Sequence, residues 1–142
     1  QIHFLNNDAE LHINPPYDIS QELINQNIKL RNKGLKKHLI KDLKSSKIML
    51  VPGHKGEVYC LAAEEAREMC IPIVTMGYGS LYERVEHNIT GYVAKNISEF
   101  VNYSHKLLND DELYHKMRSN LKSMRNKRNY SDVARDLLKL IN

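Results

Sequence analysis

Tryptophan is absent from this chain of 142 residues and phenylalanine occurs twice, so eight tyrosines carry nearly all of its aromatic surface. They form no aromatic platform or known reader motif for nucleic acid. Cysteine is as scarce, with only Cys60 and Cys70. Two thiols make no disulfide scaffold, and a zinc site takes about four ligands at characteristic spacings. The seven histidines contain no H-x-x-x-H pair. Both thiols are expected to be reduced, in or beside a helix, which suits the cytosol. No apolar run approaches the roughly 18 residues of a membrane span. There is no internal repeat and no low-complexity linker. What is present is ordinary for a globular protein: 42% apolar and 27% charged residues, with 21 Lys+Arg against 17 Asp+Glu. The length predicts a single domain, 1–142, with a core that needs no staples. The chain opens on Gln1 rather than methionine, and the expectation is a piece of a longer protein, truncated at its N-terminus.

Hydrophobic patterning predicts alternating strands and helices. Leu11-His12-Ile13 reads as a strand ending in the Asn14-Pro15-Pro16 turn, and Ile28–Leu30 as a second strand. Ile2–Leu5 is a strand or the end of a helix, and Asp18–Asn25 a short helix. Leu35, Leu39, Ile40 and Leu43 recur at helical spacing. Ile48–Val51, stopped by Pro52-Gly53, suits a strand buried on both faces of a parallel sheet, and Pro72–Thr75 another. Helices are expected over Val58 to about Met69 and around Leu81–Val85, with Gly91–Val93 a short strand. Ser98 is the expected N-cap of the next helix, Asp110/Asp111 open another, and Ser131-Asp132 open the last, ending near Ile141. This alternation predicts an α/β fold with a parallel sheet and a helical C-terminal tail. Ligands of such sheets bind beyond the carboxyl ends of the strands, which singles out the loops Pro52–Glu57 and Met76–Ser80.

A helix from Val58 places Val58, Leu61, Ala62, Ala66 and Met69 on one face, with Glu65 in the middle of it. A carboxylate on an apolar stripe is costly unless paired or hydrogen-bonded. Glu65 therefore either lies at the wet margin, pairs with a Lys or Arg, or accepts hydrogen bonds from a ligand such as a ribose diol. Glu57 stands just ahead of the helix, whose free amides and dipole favour an anion. It is either a dipole partner or cap, or it faces a ligand hydroxyl while the amides meet a phosphate.

Lys47 to Val93 carries an ordered set: the apolar strand Ile48–Val51, Pro52-Gly53, Glu57, Glu65-Ala66, Pro72-Ile73-Val74, Gly79-Ser80, Glu83 and Thr90-Gly91. This stretch resembles the C-terminal, donor-binding domain of family 4 retaining glycosyltransferases, which have the GT-B fold. The resemblance implies a Rossmann-like three-layer parallel sheet, one half of a GT-B fold, that binds a nucleotide sugar. It implies hexosyl transfer from an NDP-sugar, with UDP or GDP as the nucleotide, to a glycan or lipid-linked acceptor, as in the synthesis of cell-surface polysaccharide. The position of Glu57 then contacts the transferred sugar as the catalytic residue, and that of Glu65 the ribose hydroxyls. Tyr59, Cys60 and Leu61 offer backbone amides to the diphosphate, and Gly53, His54 and Lys55 belong to the same binding loop. Neither metal nor other cofactor is implied, because helix amides and basic side chains stabilise the departing diphosphate.

The sequence departs from the family pattern at Cys60 and Cys70, where glycine is common, and at Gly53, where serine is. A side chain at Cys60 is expected to crowd the diphosphate. No match to the family's opening strand and loop, with an Arg and a Lys for the diphosphate, is found before Ala9, and that segment and the N-terminal acceptor domain are expected to be missing from this piece. The isolated chain is therefore expected to be inactive; Lys55 and Arg31 are read first as solvated surface residues and second as a partial replacement for the lost charge. Lys29–Lys47 holds eight basic residues and one acid, Asp42, and Lys116–Arg128 six and none. These are read first as solvated helix faces, then as an attraction to an anionic membrane surface, and least as a nucleic-acid surface. The expected location is cytoplasmic or peripheral at the inner face of the membrane. The alternatives to a transferase domain are a catalytically inactive binding module of the same fold and a basic domain that binds nucleic acid or a membrane surface.

Overall fold

The computed structural model describes residues 10–13, 28–30, 36–125 and 130–141. The expectations for Ile2–Leu5, the Asn14-Pro15-Pro16 turn, the helix Asp18–Asn25 and Arg31 lie outside these residues. The elements in chain order are β1 (Leu11–Ile13), β2 (Ile28–Leu30), α1 (Lys36–Ser45), β3 (Met49–Val51), α2 (Leu61–Glu68) and β4 (Ile73–Thr75). They continue with α3 (Leu81–Arg84), β5 (Gly91–Val93), α4 (Ile97–Asn109), α5 (Asp111–Met124) and α6 (Tyr130–Ile141). β1 and β2 pair in parallel, with Leu11 opposite Ile28. A second parallel sheet runs in the order β3-β4-β5, with Met49 opposite Ile73 and Ile73 opposite Gly91.

β4 is buried throughout, and its alternation makes the three layers. Ile73 packs with Leu43, Ala63, Ala66 and Leu81 on the face of α2 and α3. Val74 packs with Tyr92, Phe100, Leu107 and Met117 on the face of α4 and α5. Burying a side chain such as Leu81 or Leu107 contributes about 2 kcal/mol, so these two clusters hold the domain together. β3 corrects one expectation: it is half-buried rather than covered on both faces. Among the described residues it pairs with β4 alone, so its continuous apolar run occupies an edge of this sheet. Tyr92 belongs to the core, stacked on Tyr103 with centroids 4.3 Å apart.

The helix starts follow local chemistry. Asn96, not Ser98, caps α4, its Oδ1 accepting from Glu99 N at 2.9 Å, while Glu99 Oε2 accepts from Lys95 N. Asn offers a carbonyl oxygen without the hydroxyl rotor of Ser, and the reciprocal Glu reaches back as in a capping box. Asp110 caps α5, accepting from Leu113 N at 2.9 Å. Lys47, two residues ahead of β3, reaches the α4–α5 junction, donating to Leu108 O at 2.8 Å and to Asp111 Oδ1 at 2.5 Å.

That lysine holds the Asp111 carboxyl below its ordinary value of 3.8, by its hydrogen bond first and its charge second. The folded state therefore favours ionised Asp111. The resulting stabilisation is fully present above pH 3.8 and fades as the pH falls through the lowered value. Asp111→Asn should flatten the acid limb of a urea-midpoint profile while leaving its shape above neutrality unchanged. An unaltered acid limb would show that the pair is not formed in solution.

Candidate functional site

The carboxyl ends of β3 and β4 open into two loops that lie side by side. Ser80 N donates to Glu57 O at 2.9 Å, a backbone tie between the segments the sequence singled out. Gly79 permits it: its φ is +58°, and a Cβ there would stand 2.2 Å from the Glu57 carbonyl oxygen. A side chain is strained in that conformation and has no room in that space.

Within the first loop Glu57 N donates to His54 O at 3.1 Å, and Gly56 N donates to His54 Nδ1 at 3.2 Å. This turn sets the Glu57 carboxylate 3.7 Å from His54 Nε2, with the glutamate half-buried and the histidine exposed. Lys55 is exposed in the same turn, and Gly53 lies against Leu81.

α2 starts later than periodicity predicts. Val58 and Tyr59 precede it, and Cys60 is the N-cap, with φ −78° and no side-chain cap. The first helical bond runs from Glu64 N to Cys60 O at 3.1 Å. The amides of Leu61, Ala62 and Ala63 therefore have no helical partner. Of the expected set Tyr59, Cys60 and Leu61, Leu61 opens the helix, and Tyr59 and Cys60 stand immediately ahead of it. The Cys60 side chain is buried beside Leu43 and Ala63, so it does not crowd the helix mouth. Cys70 stands where a helix terminator has φ +58°. Its N–H donates to Arg67 O and that of Ile71 to Ala66 O, the two bonds of a Schellman motif usually completed by glycine.

The expected apolar stripe of α2 holds at Ala66 and Met69 and fails at Val58, Leu61 and Ala62. Ala63 and Ala66 are the fully buried positions, and they let α2 sit close on β3 and β4. Val58, at 85% exposure, Leu61, at 68%, and Ala62 face outward. Glu65 falls between Leu61 and Ala62 on this outward face, half-buried. Its carboxylate makes no hydrogen bond or ion pair with a described residue. The reading that it pairs with a Lys or Arg thus finds no partner among them.

The paired glutamate is its neighbour. Glu64 Oε2 lies 3.7 Å from both Arg67 Nη1 and Arg84 Nη1. The Arg84 guanidinium stacks 4.2 Å from the centroid of the Tyr59 ring, so α3 holds the approach to α2. Sequence reasoning missed this cluster. Only the Glu64–Arg67 spacing of three residues was visible, and no periodicity reaches Arg84. Tyr78, Tyr82 and Glu83 are exposed beside the second loop. The Thr90-Gly91 turn lies beyond it, with Thr90 Oγ1 accepting from Glu86 N at 2.9 Å.

Among the described residues no group of three His, Cys, Asp or Glu side chains could hold a metal ion, and no helix is long and apolar enough to cross a membrane. No curated protein matches the chain. The family described as Glycosyl transferases group 1 matches residues 17–124, a span that contains both loops, α2 and the sheet β3-β4-β5. Well over half of the sequence, including every element that builds the candidate site, lies within that match, and the chain belongs to the group 1 glycosyl transferases.

Proposed function

We propose that the chain is the donor-binding domain of a retaining glycosyltransferase of family 4, taking a hexosyl group from an NDP-sugar to a glycan or lipid-linked acceptor. One observation carries the reading: the uncapped start of α2 stands between two unlike carboxylates, Glu57 at its mouth and Glu65 on its outward face. The amides of Leu61, Ala62 and Ala63 receive the diphosphate, assisted by the helix dipole and by Lys55. Glu65 accepts from the two ribose hydroxyls, which is a use for a carboxylate that no described side chain satisfies. Glu57 meets the transferred sugar, and His54 turns its carboxylate toward it. Gly53, with its φ of +73°, turns the loop over Leu81 and so shapes the binding loop from below. The positive end of the helix stabilises the leaving diphosphate, and the reaction needs no metal. The acceptor is held by a second domain, across the cleft from these loops, and the isolated chain binds donor without transferring it. Burial of Cys60 in the core removes one ground for an inactive module.

Calorimetric titration with UDP, GDP and ADP tests the reading. One nucleotide should bind, and Glu65→Gln should weaken it by about ten- to a hundredfold, the worth of hydrogen bonds to a charged group. A chelator should leave the affinity unchanged. Equal binding by the parent and Glu65→Gln would remove the ribose assignment. Absence of binding for all three nucleotides would remove the donor site from this chain.

A further inference from the structure

A second concave site lies at the other end of α2, between its C-terminal turn and α5, with a volume of about 440 Å³. Its α5 wall is a basic stripe. His115, Arg118 and Lys122 recur at spacings of three and four residues and so share one side of the helix, and Arg125 follows as its C-cap residue. The facing wall is Glu68 and Met69.

The charges in this cleft do not cancel. Arg125 Nε stands 3.5 Å from Glu68 Oε2, and that pair is neutral. Arg118 is held in place by a neutral group, donating to Tyr114 Oη at 2.8 Å. Lys122 has no ion pair with a described residue. Nor are these cations needed to cap α2. Ala66 O already accepts from Ile71 N at 2.9 Å, and Arg67 O from Cys70 N at 3.0 Å. Beyond the Glu68 carboxylate that Arg125 meets, two positive charges line this hollow together with His115 and Ser119, and no further acidic residue lines it.

We propose that this cleft binds a doubly charged phosphate group, as a phosphomonoester presents it, at a site separate from the amides that open α2. Arg118 supplies a forked pair of donors and Lys122 a point charge, the combination that suits a tetrahedral dianion. The proposal does not rest on the donor reading, because it uses none of the same residues.

The test is a titration of the full chain with inorganic phosphate, followed by amide chemical shifts in the parent, in the double variant Arg118→Gln/Lys122→Gln and in Glu65→Gln. Saturable shifts are expected along α5 and at residues 68–70. The double variant, whose changes are on exposed positions, should bind about tenfold or more weakly, and Glu65→Gln as the parent does. Shifts that do not saturate, that gather only at residues 61–63, or that persist unchanged in the double variant would overturn the proposal. Flotation with phosphatidylcholine vesicles containing phosphatidic acid identifies the source. Flotation lost in the double variant assigns the phosphate to a lipid headgroup, and saturable phosphate binding without flotation assigns it to a soluble phosphomonoester.

Discussion

Replacing Gly91 by alanine should lower the stability of the domain by about 3 kcal/mol, the upper end of what overpacking costs. Gly91 stands opposite Ile73 in the parallel β4–β5 pair. An ideal Cβ there would lie 2.1 Å from Ile73 O and 2.9 Å from Ile73 N, atoms of the fully buried central strand. A flexible side chain could turn aside, but the backbone of β4 cannot, because Ile73 and Val74 anchor the cores on both sheet faces. With a urea m-value of about 2 kcal/mol/M for a domain of this size, the midpoint should fall by about 1.5 M. Gly56→Ala is the control: its nearest neighbour is a side-chain atom at 3.4 Å, so its effect should stay within about 0.5 kcal/mol. A Gly91→Ala protein as stable as the parent would mean that β4 and β5 are not paired in this register.

Gly79→Ala should damage stability and ligand binding together. The left-handed backbone costs a residue with a Cβ about 1 kcal/mol, and displacing the Glu57 carbonyl also breaks its bond from Ser80, for a total of about 2 kcal/mol. The two loops then separate, and Glu57 moves while α2, packed through Ala63 and Ala66, stays. An NDP-sugar should lose more affinity than the free nucleoside diphosphate, because the moved carboxylate is the one proposed to meet the sugar. Equal losses for both ligands would place the sugar elsewhere. Gly91→Ala, measured where it is still folded, should show no such difference.

The parallel sheet was legible because short apolar runs stopped by Pro-Gly or flanked by helical periodicity leave few alternatives. Leu11–Ile13, Ile28–Leu30 and Gly91–Val93 appear as strands with the bounds their residues suggest. The two site loops were legible from the same pattern, since a parallel sheet puts its loops at one edge. The apolar face of α2 was legible at Ala66 and Met69 but not over its first turn. The wheel sends Leu61 inward by its size, but close packing on the sheet selects the small Ala63 and Ala66, and tertiary contact overrides side-chain hydrophobicity. Its start was missed because Cys60 is not a capping residue by type and becomes one only through its backbone. Asn96 was overlooked for the nearer Ser98, an ambiguity of a residue or two that sequence leaves at most helix ends. The Glu64–Arg84–Tyr59 cluster was illegible for a different reason: it exists only once α3 has folded back against the start of α2.

The alanine contact beneath α2 bears on how a site of this kind can diverge. Glu57 is tied by its backbone to the neighbouring loop, whereas Glu65 and the free amides ride on a helix whose height above the sheet is set by two methyl groups. Enlarging position 63 or 66 lifts the helix and widens the gap between the two carboxylates without changing a single group that would face a ligand. The ruler of the proposed site thus lies underneath it, in two side chains that face the sheet, and a change there would retune the spacing for donors of different size.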